Sequence, residues 1–177
     1  MKKILFALAL TVCAIATTQA QAKIGHVKSQ TLLDTMPSRK AAIKEIKEIE
    51  NAGLRELKDA DSAIQVAYMK YQADVQSGKL VSQSVKEYEE NRIRRMQQNL
   101  EERQQQIDQQ LQIMTQEMNV VILDRVKKAV NIVATAKKFN YIIDESTTLY
   151  SAGGVDVTNE VIVELLKLEA EAKKTGK

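Results

Sequence analysis

The sequence predicts an α+β fold that is mostly helical, with a long antiparallel helical hairpin (a coiled-coil arm) projecting from a small β-sheet body. The chain of 177 residues contains 6 Gly and 1 Pro, and that proline lies outside the stretch from Ser38 to Lys138. Aromatic residues are scarce, with no Trp and 2 Phe, which argues against a compact core of ordinary size. Short runs of β-forming residues occur only towards the two ends of the chain, where strands are therefore expected.

The first 22 residues have the pattern of a secretory signal peptide. Two lysines precede an almost wholly apolar run from Ile4 to Ile15, and small residues follow it. The apolar run is too short to anchor the chain across a bilayer. Cleavage is expected after Ala22, with Ala20 as the alternative. Residues 1–22 are therefore expected to be removed, together with Cys13, and the exported chain is expected to lack disulfides.

Three short runs are expected to pair in one small sheet: Ile24–Val27, Tyr141–Ile143 and Leu149–Tyr150. The helical hairpin between the first two runs returns the chain to its starting point. Three short strands and two short helices bury little apolar surface, so such a unit is marginal alone. Residues 23–37 and 139–177 are therefore expected to form a body that oligomerises through its sheet.

Capping and turn residues mark the helix ends of this body. Ser29 is expected to cap a short helix, which Pro37 closes. The two glycines of "GGVDVT", residues 153–158, permit positive φ and predict a turn. Thr158 is expected to cap the last helix.

Residues 38–138 are expected to form the hairpin, with its tip near residues 77–84. The spacing of Ser84 and Glu87 is that of a capping box and predicts the start of the second helix. The last part of that helix, about residues 120–138, is expected to pack on the body. Apolar steps of three and four residues predict the coiled-coil seam. Its positions are Leu57, Ala60, Ile64, Ala67 and Tyr71 on the first helix, and Ile93, Met96, Leu100, Ile107, Met114, Met118 and Val121 on the second.

The stretch "QQNLEERQQQIDQQLQIMTQ", residues 97–116, contains nine glutamines. It could be a disordered low-complexity tract, a dimer zipper, or an arm that contacts something else. Apolar residues recur at helical spacing among good helix formers, which disfavours disorder. Arg103 and Gln110 occupy seam positions, which disfavours a zipper. A wettable helical arm is the favoured interpretation.

Apolar side chains along the arm are candidates for contact with a binding partner, although methionine more often fills a core. These candidates are Met69, Leu80, Val81, Met96, Leu100, Ile107, Leu111 and Ile113. Arg92, Arg94 and Arg95 form a basic cluster near the tip. A solvated face balanced by neighbouring glutamates is the simpler interpretation of that cluster, and contact with anionic lipid head groups or acidic partners is the functional one.

The composition disfavours several classes of function. Lys and Arg number 26 against 23 Asp and Glu, and loss of the two leader lysines brings the net charge of +3 closer to zero. Nucleic acid is therefore not an expected partner. One histidine and widely spread acids supply no catalytic or cofactor-binding set, so the protein is not expected to be an enzyme. His26 beside Asp144 or Asp156 could form an acid/base or metal site, but a strand histidine at a subunit contact is favoured.

The two ends of the expected mature chain resemble the Skp/OmpH family of periplasmic outer-membrane-protein chaperones. The resemblance is carried by "KIGHVKSQTLLDTMP" and "FNYIIDESTTLYSAGGVDVTNEVIVEL". It implies a homotrimer with a β-barrel-like body and three helical arms, which hold unfolded outer-membrane proteins in the periplasm without ATP. From this resemblance and the predicted strands, the oligomerisation body is expected to include Ile24, Gly25, Val27, Tyr141, Ile142, Ile143, Leu149, Tyr150, Gly153, Gly154, Asp156 and Thr158.

Two functions remain open at this point. A holdase chaperone that binds many clients through weak contacts is favoured, because the arm has a poor seam and no discrete apolar patch. A structural coiled-coil adaptor of the cell envelope with one fixed partner is the alternative. A well-filled seam and a discrete apolar patch would be typical of such an adaptor.

Overall fold

The computed structural model describes residues 22–80, 82–150 and 153–175. It has the predicted mostly helical α+β composition, with a small sheet and long helices. Its elements, in chain order, are strand β1 (Ile24–Val27), helix α1 (Ser29–Thr35), helix α2 (Pro37–Gln76), helix α3 (Gln83–Lys137), strand β2 (Tyr141–Asp144), a 3-10 turn (Glu145–Thr147), strand β3 (Val155–Asp156) and helix α4 (Thr158–Thr175). The expected leader, apart from Ala22, lies outside the described residues.

The chain divides into two compact units. The body unit contains the described residues up to Met36 and those from Arg125 onward. The hairpin unit is Pro37–Asp124. Helix α3 has 55 residues and α2 has 40, and the last turns of α3 belong to the body unit.

The two long helices exist because almost nothing in them breaks a helix. Pro37 is the first residue of α2, where its missing N–H has no intrahelical role. Met36 before it is extended, with ψ 116°, as expected for a residue that precedes proline. Gly53 is the one glycine within α2, and α3 contains neither Gly nor Pro.

Within the hairpin unit, α2 and α3 run antiparallel. Gly53 faces Ile107, whereas Tyr71, farther along α2, bonds Glu90, nearer the start of α3. Residue numbers therefore rise on one helix as they fall on the other. Gly78, with φ 72°, lies in the turn between them, a conformation that glycine adopts without strain.

Helix α3 begins at Gln83, and the predicted capping box does not form. The backbone N–H of Lys86 donates to the Ser82 carbonyl oxygen at 3.2 Å, which makes Ser82 the N-cap. The Ser84 hydroxyl shares a hydrogen bond with the Ser82 hydroxyl at 2.7 Å. The Glu87 carboxylate accepts from the Gln83 side chain at 3.0 Å. These two local bonds occupy the groups that a capping box would use.

The sheet has the order β2-β1-β3, and both strand pairs are parallel. The prediction of a strand at Leu149–Tyr150 is wrong, because the third strand is Val155–Asp156 within the segment expected to be only a turn. Asp144 explains the difference. Its side chain accepts from the Ser146 N–H at 3.1 Å, and its carbonyl accepts from the hydroxyl of Thr148 at 3.2 Å, so the chain turns away from the sheet there.

Two predicted caps are also wrong. Lys28 precedes α1 and gives it no side-chain cap, whereas the Ser29 N–H donates to Asp144 Oδ1 at 3.4 Å. Thr158 is the first residue of α4, and its N–H donates to Asp156 Oδ1 at 2.8 Å. The Thr158 hydroxyl oxygen instead accepts from the Lys28 N–H at 3.1 Å. Partners from other elements have replaced the local caps that the sequence suggested.

The core of the body unit combines β1, α1, α4 and the end of α3. Helix α1 contacts α4, and α4 contacts β1. The side chain of Phe139 lies so close to Gly25 that a Cβ there would come within 3.2 Å of its ring. The buried apolar residues of this unit are Val27, Leu32, Met36, Ala129, Val133, Val157, Val161 and Leu165.

Candidate functional site

The seam of the hairpin is closed by few large side chains. Ile64, Ala67 and Ile93 form its buried cluster. Tyr71, Met96 and Leu100 pack against this cluster and are only partly buried. Ile64 and Ala67 therefore lie in the seam, as predicted for α2. Because Ala67 is small, the two helices share little apolar contact area there.

Farther from the tip, Ile107 packs directly over Gly53. A Cβ at Gly53 would lie 3.0 Å from Ile107 Cγ2, so glycine is required for this close approach. Only 6% of Ile107 is exposed. Ile107 therefore occupies the seam position predicted for it, and its side chain fills the space that Gly53 leaves.

The seam also drifts towards the end of the hairpin unit. The predicted position Val121 is exposed, and Ile122 is buried in its place. A strict heptad advances by 3.5 residues per turn, whereas a straight helix has 3.6, so the apolar face moves by one residue over several turns.

A polar pair bridges the two helices at the seam position Arg103. Its Nε and Nη2 donate to the two carboxylate oxygens of Glu56, at 2.7 and 2.9 Å. The hydrogen bonds from Arg103 lower the pKa of Glu56 below its ordinary value, and the same pair raises the pKa of Arg103. Both side chains are solvated, so the pair contributes geometry more than stability.

A second polar bridge lies nearer the tip. The Tyr71 hydroxyl donates to the Glu90 carboxylate. This hydrogen bond raises the pKa of the Tyr71 phenol above its ordinary value. Together with the Arg103–Glu56 pair, it fixes the register of the hairpin where apolar packing is weak.

One side of the hairpin carries an interhelical groove of about 450 Å³. That volume lies within the range of about 300–1,000 Å³ typical of sites for small ligands. The Glu56–Arg103 pair stands in its wall, which is otherwise mostly apolar. The lining residues are Glu56, Leu57, Ala60, Ala63 and Ile64 of α2 and Met96, Asn99, Leu100 and Arg103 of α3.

The other predicted contact residues of the arm differ in accessibility. Met69 and Ile113 project into solvent, with exposed fractions of 60% and 56%. Leu80 and Leu111 are half-buried. Val81 lies outside the described residues. Met96 and Leu100 pack on the seam cluster and also line the groove.

The basic cluster near the tip divides into one paired and two unpaired arginines. Arg92 Nε donates to Glu89 Oε2 at 2.8 Å, and its Nη1 lies 3.8 Å from Met96 Sδ. Arg94 and Arg95 are exposed and have no ion-pair partner within the described part of the chain. The structure therefore leaves two arginines available to an anionic partner.

Sequence reasoning missed a set of exposed apolar residues that flank the seam. These residues do not continue the three- and four-residue spacing of the seam, so helical periodicity did not predict that they would be exposed. In the half of the hairpin nearer the tip they are Val66, Tyr68, Val85 and Tyr88.

In the body unit, one face of the sheet is apolar and open. In the parallel register Ile24 lies opposite Tyr141, and His26 lies opposite Ile143, so these four side chains share a face. Ile24, Tyr141 and Ile143 are all exposed. Gly25, a neighbour on the other face, is buried.

The remaining predicted body residues lie around this sheet. Leu149 and Tyr150 follow the 3-10 turn and are highly exposed, at 106% and 82%. Gly154 has φ 105° and needs glycine, whereas a side chain at Gly153 would meet nothing within 4 Å. Val27 is buried in the core and is not part of an open surface.

Asp144 and Asp156, the last residues of β2 and β3, serve as structural hydrogen-bond acceptors. Burial tends to raise the pKa of Asp144, but its bonds from Ser29 and Ser146 outweigh this and lower the pKa. The hydrogen bonds from Thr158 lower the pKa of Asp156. Both carboxylates are therefore held in their charged form by hydrogen-bond donors of the body unit.

His26 lies on β1, as predicted, and does not form a metal site with these aspartates. Its Nδ1 is 3.6 Å from Glu145 Oε2, and these two atoms are buried without a hydrogen-bond partner in the described chain. No group of three or more His, Cys, Asp or Glu side chains among the described residues could hold a metal ion. Residues 22–80, 82–150 and 153–175 also include no helix that is apolar over a membrane-spanning length.

Comparison with solved structures shows that this fold has been seen before. A structure from Caulobacter crescentus CB15, assigned as an OmpH-like outer membrane chaperone, superposes with a TM-score of 0.71. The match covers 86% of each chain at 15% sequence identity. At that identity the likeness establishes the fold alone.

Two relatives are similar in sequence over nearly their whole length. The chaperone protein Skp of Pectobacterium atrosepticum is 27% identical over 164 residues, and that of Photorhabdus laumondii is 24% identical over 164 residues. Each alignment covers 92% of this chain and 98% of the relative. These relatives are named as chaperones and not as enzymes, in agreement with the prediction from composition.

The family model for OmpH-like outer membrane proteins matches residues 23–165. This range begins where the expected leader ends and reaches well into α4, so it includes both the helical hairpin and the sheet. The chain therefore belongs to the OmpH-like family, as its end motifs suggested.

Proposed function

We propose that the protein is an ATP-independent periplasmic holdase chaperone, which binds unfolded outer-membrane β-barrel proteins between helical arms and prevents their aggregation. Membership of the OmpH-like family, whose relatives include Skp chaperones, is the observation that carries this proposal. The hairpin supports it, because its exposed apolar side chains are spread along both helices.

This distribution suits a partner without a fixed fold. Met69 and Ile113 are exposed on different helices, and charged or amide residues such as Lys70 and Gln112 are interspersed with the apolar ones along the chain. An unfolded client can exchange many weak contacts along such a helix without losing most of its conformational freedom. An adaptor with one fixed partner would be expected to carry a contiguous apolar patch.

We further propose that the arms are held together by a homotrimeric body formed through the sheet. Ile24, Tyr141 and Ile143 make an apolar face that is open in a single chain, and Leu149 and Tyr150 add further exposed apolar area. Burial of that area between subunits would stabilise a unit whose own core is small. Multi-angle light scattering on the purified protein should give three times the mass of one chain, and a monomer would contradict a shared body.

Periplasmic localisation is proposed on the basis of the leader pattern in residues 1–22. A fusion of those residues to a reporter enzyme that is active only after export tests it directly. Reporter activity should appear, and it should be lost when Lys2 and Lys3 are replaced by Glu.

Aggregation of a urea-denatured outer-membrane β-barrel after dilution tests the holdase function. The protein should suppress the light scattering of the client without nucleotide, and failure at several-fold molar excess would reject the proposal. The double variant Met69→Ser and Ile113→Ser should suppress aggregation less well, because it removes exposed apolar contacts. Gln72→Ser with Gln112→Ser is the matched control, since it changes exposed positions on the same helices without loss of apolar area.

Contact with anionic lipid head groups is a secondary proposal that rests on Arg94 and Arg95. Their unpaired guanidinium groups near the tip would be attracted to a negative membrane surface. Sedimentation with phosphatidylglycerol vesicles should fall when both residues are replaced by Gln, and unchanged sedimentation would remove the support for this contact.

A further inference from the structure

We propose that the interhelical groove and Arg95 together form a subsite for one kind of client segment, an extended stretch in which an apolar side chain is followed two residues later by a carboxylate. The groove would take the apolar side chain, and Arg95 would pair with the carboxylate. This inference rests on the proposed holdase function and assigns part of its client recognition to a defined place.

The groove exists because small residues line its α2 wall. Ala60 and Ala63 stand there, while Met96 and Leu100 stand on the α3 wall. The alanines leave space beside the seam cluster of Ile64, Ala67 and Ile93 without opening that cluster. A side chain of Leu, Val or Phe from another chain could enter this space and bury apolar area on both helices.

The charges of the groove lining determine which kind of side chain the groove can bind. The one ion pair in the groove wall is closed on itself, because Arg103 makes both of its bidentate bonds to Glu56. Asn99 is neutral. The groove itself therefore attracts no ionic group, and an uncharged side chain is its complement.

An arginine of α3 that makes no ion pair within the described residues stands just beyond the groove. Arg95 precedes Asn99 by four residues, so the two lie on the same side of α3 about 6 Å apart along the helix axis. Arg95 is exposed and makes no ion pair within the described residues. Arg92, one turn nearer the tip, is already bonded to Glu89. Arg95 is thus the arginine of α3 beside the groove that can receive an anion.

The spacing fits an extended peptide. Residues i and i+2 of a strand point to the same side and are roughly 6.6 Å apart. An apolar side chain in the groove near Asn99 therefore places a carboxylate at i+2 close to Arg95.

The test is a binding titration, followed by anisotropy, of the full-length protein with a fluorescent peptide in which each Leu is followed two residues later by Asp. Ala63→Leu fills the groove and should weaken binding about tenfold, the effect of excluding one buried aliphatic side chain. The control Ala41→Leu introduces the same side chain at an exposed α2 position far from the groove and should leave the affinity unchanged. Ala63→Met is a second filling variant, and thermal melts of all variants report on folding.

Arginine variants test the charge. Arg95→Gln should weaken binding about two- to fivefold at low salt, as expected for an exposed pair, and should have no effect on a peptide with Asn in place of Asp. Arg94→Gln is the matched control, because Arg94 is not three or four residues from any groove residue of α3.

Several outcomes would overturn the proposal. Affinity that is unchanged in both filling variants would do so, as would equal losses in Ala63→Leu and Ala41→Leu. If the filling variants and Arg95→Gln abolish binding to phosphatidylglycerol vesicles but spare the peptide, the groove is a lipid site. A wild-type protein that suppresses client aggregation but does not bind the peptide would retain the holdase function and lose this subsite, so the two failures are distinguishable.

Discussion

The buried ion pair between Arg125 and Glu169 offers the sharpest test of how the body unit is held together. Arg125 Nη1 donates to Glu169 Oε1 at 2.6 Å, and the two side chains are only 15% and 6% exposed. This pair ties the end of α3 to α4. Glu169→Gln keeps the size of the side chain but leaves the guanidinium opposite a neutral amide in a site that water barely reaches.

The expected cost follows from this burial. Removing one partner of a buried pair typically costs about 3–5 kcal/mol, because the remaining charge stays desolvated. The residual exposure of Arg125 favours the lower end of that range, so about 3 kcal/mol is expected for Glu169→Gln. Replacing both partners with Arg125→Met and Glu169→Leu should cost less than Glu169→Gln alone, because the guanidinium is removed together with its carboxylate.

Urea denaturation followed by circular dichroism measures these changes, with the protein concentration held fixed because oligomerisation would contribute to stability. Glu164→Gln is the matched control, since Glu164 pairs with Lys167 on the exposed surface of the same helix, and less than about 1 kcal/mol is expected there. A loss below about 1 kcal/mol for Glu169→Gln, equal to the control, would refute the argument from desolvation.

Three further predictions concern the hairpin. Gly53→Ala should lower the free energy of unfolding by about 1 kcal/mol, despite the better helix propensity of alanine, because the new Cβ would lie 3.0 Å from Ile107 Cγ2. Ile107→Ala in the same chain should relieve this clash. A Gly53→Ala variant that is more stable than the wild type would contradict this packing. The pKa of Glu56, measured by NMR, should lie below its ordinary value and return to it in Arg103→Gln. Because the folded pKa is lowered, the stability it brings is present above the unfolded pKa and lost as pH falls through the folded one. The phenol of Tyr71 should titrate above its ordinary range in ultraviolet difference spectra, so Tyr71→Phe should remove the tyrosine signal at highest pH. Its raised pKa means that this stabilisation is lost as pH rises through the folded value, and an unaltered spectrum would show that the bond to the carboxylate is absent.

The helical part of the fold could be predicted because its determinants are local. The scarcity of Gly and Pro between Ser38 and Lys138 predicted the extent of α2 and α3 to within a residue or two. The seam positions Ile64 and Ala67 followed from their spacing. The prediction that Val121 lies in the seam was wrong, because a strict repeat of seven does not match the periodicity of a straight helix over so many turns.

The sheet and the caps could be predicted only in part, because their determinants are non-local. Leu149–Tyr150 has the better strand composition, yet Val155–Asp156 forms the strand because it finds a free edge of β1. Likewise, no residue near Ser29 in the sequence indicates that Asp144 accepts a hydrogen bond from the Ser29 N–H. Pairings across more than 100 positions leave no periodic signal in either segment.

On the arm, too, the sequence predicts some features of the surface and not others. Met69 and Ile113 were identified because an apolar residue off the seam of a polar helix has few other places to go. The groove was not foreseen, because it depends on which side of the seam the alanines face once the two helices have met.

The strand order has a consequence for how the chain acquires its structure. The middle strand of the sheet, β1, is synthesised first, and both of its neighbours are made last, with Tyr141 pairing with Ile24. The hairpin between them contains contacts that are closer in sequence and can form earlier, whereas β1 must wait with both edges unsatisfied until the C-terminal segment arrives. A chain that stalls or is cut before Val155 would thus display an unpaired strand, so this protein would for a time be an aggregation-prone polypeptide itself.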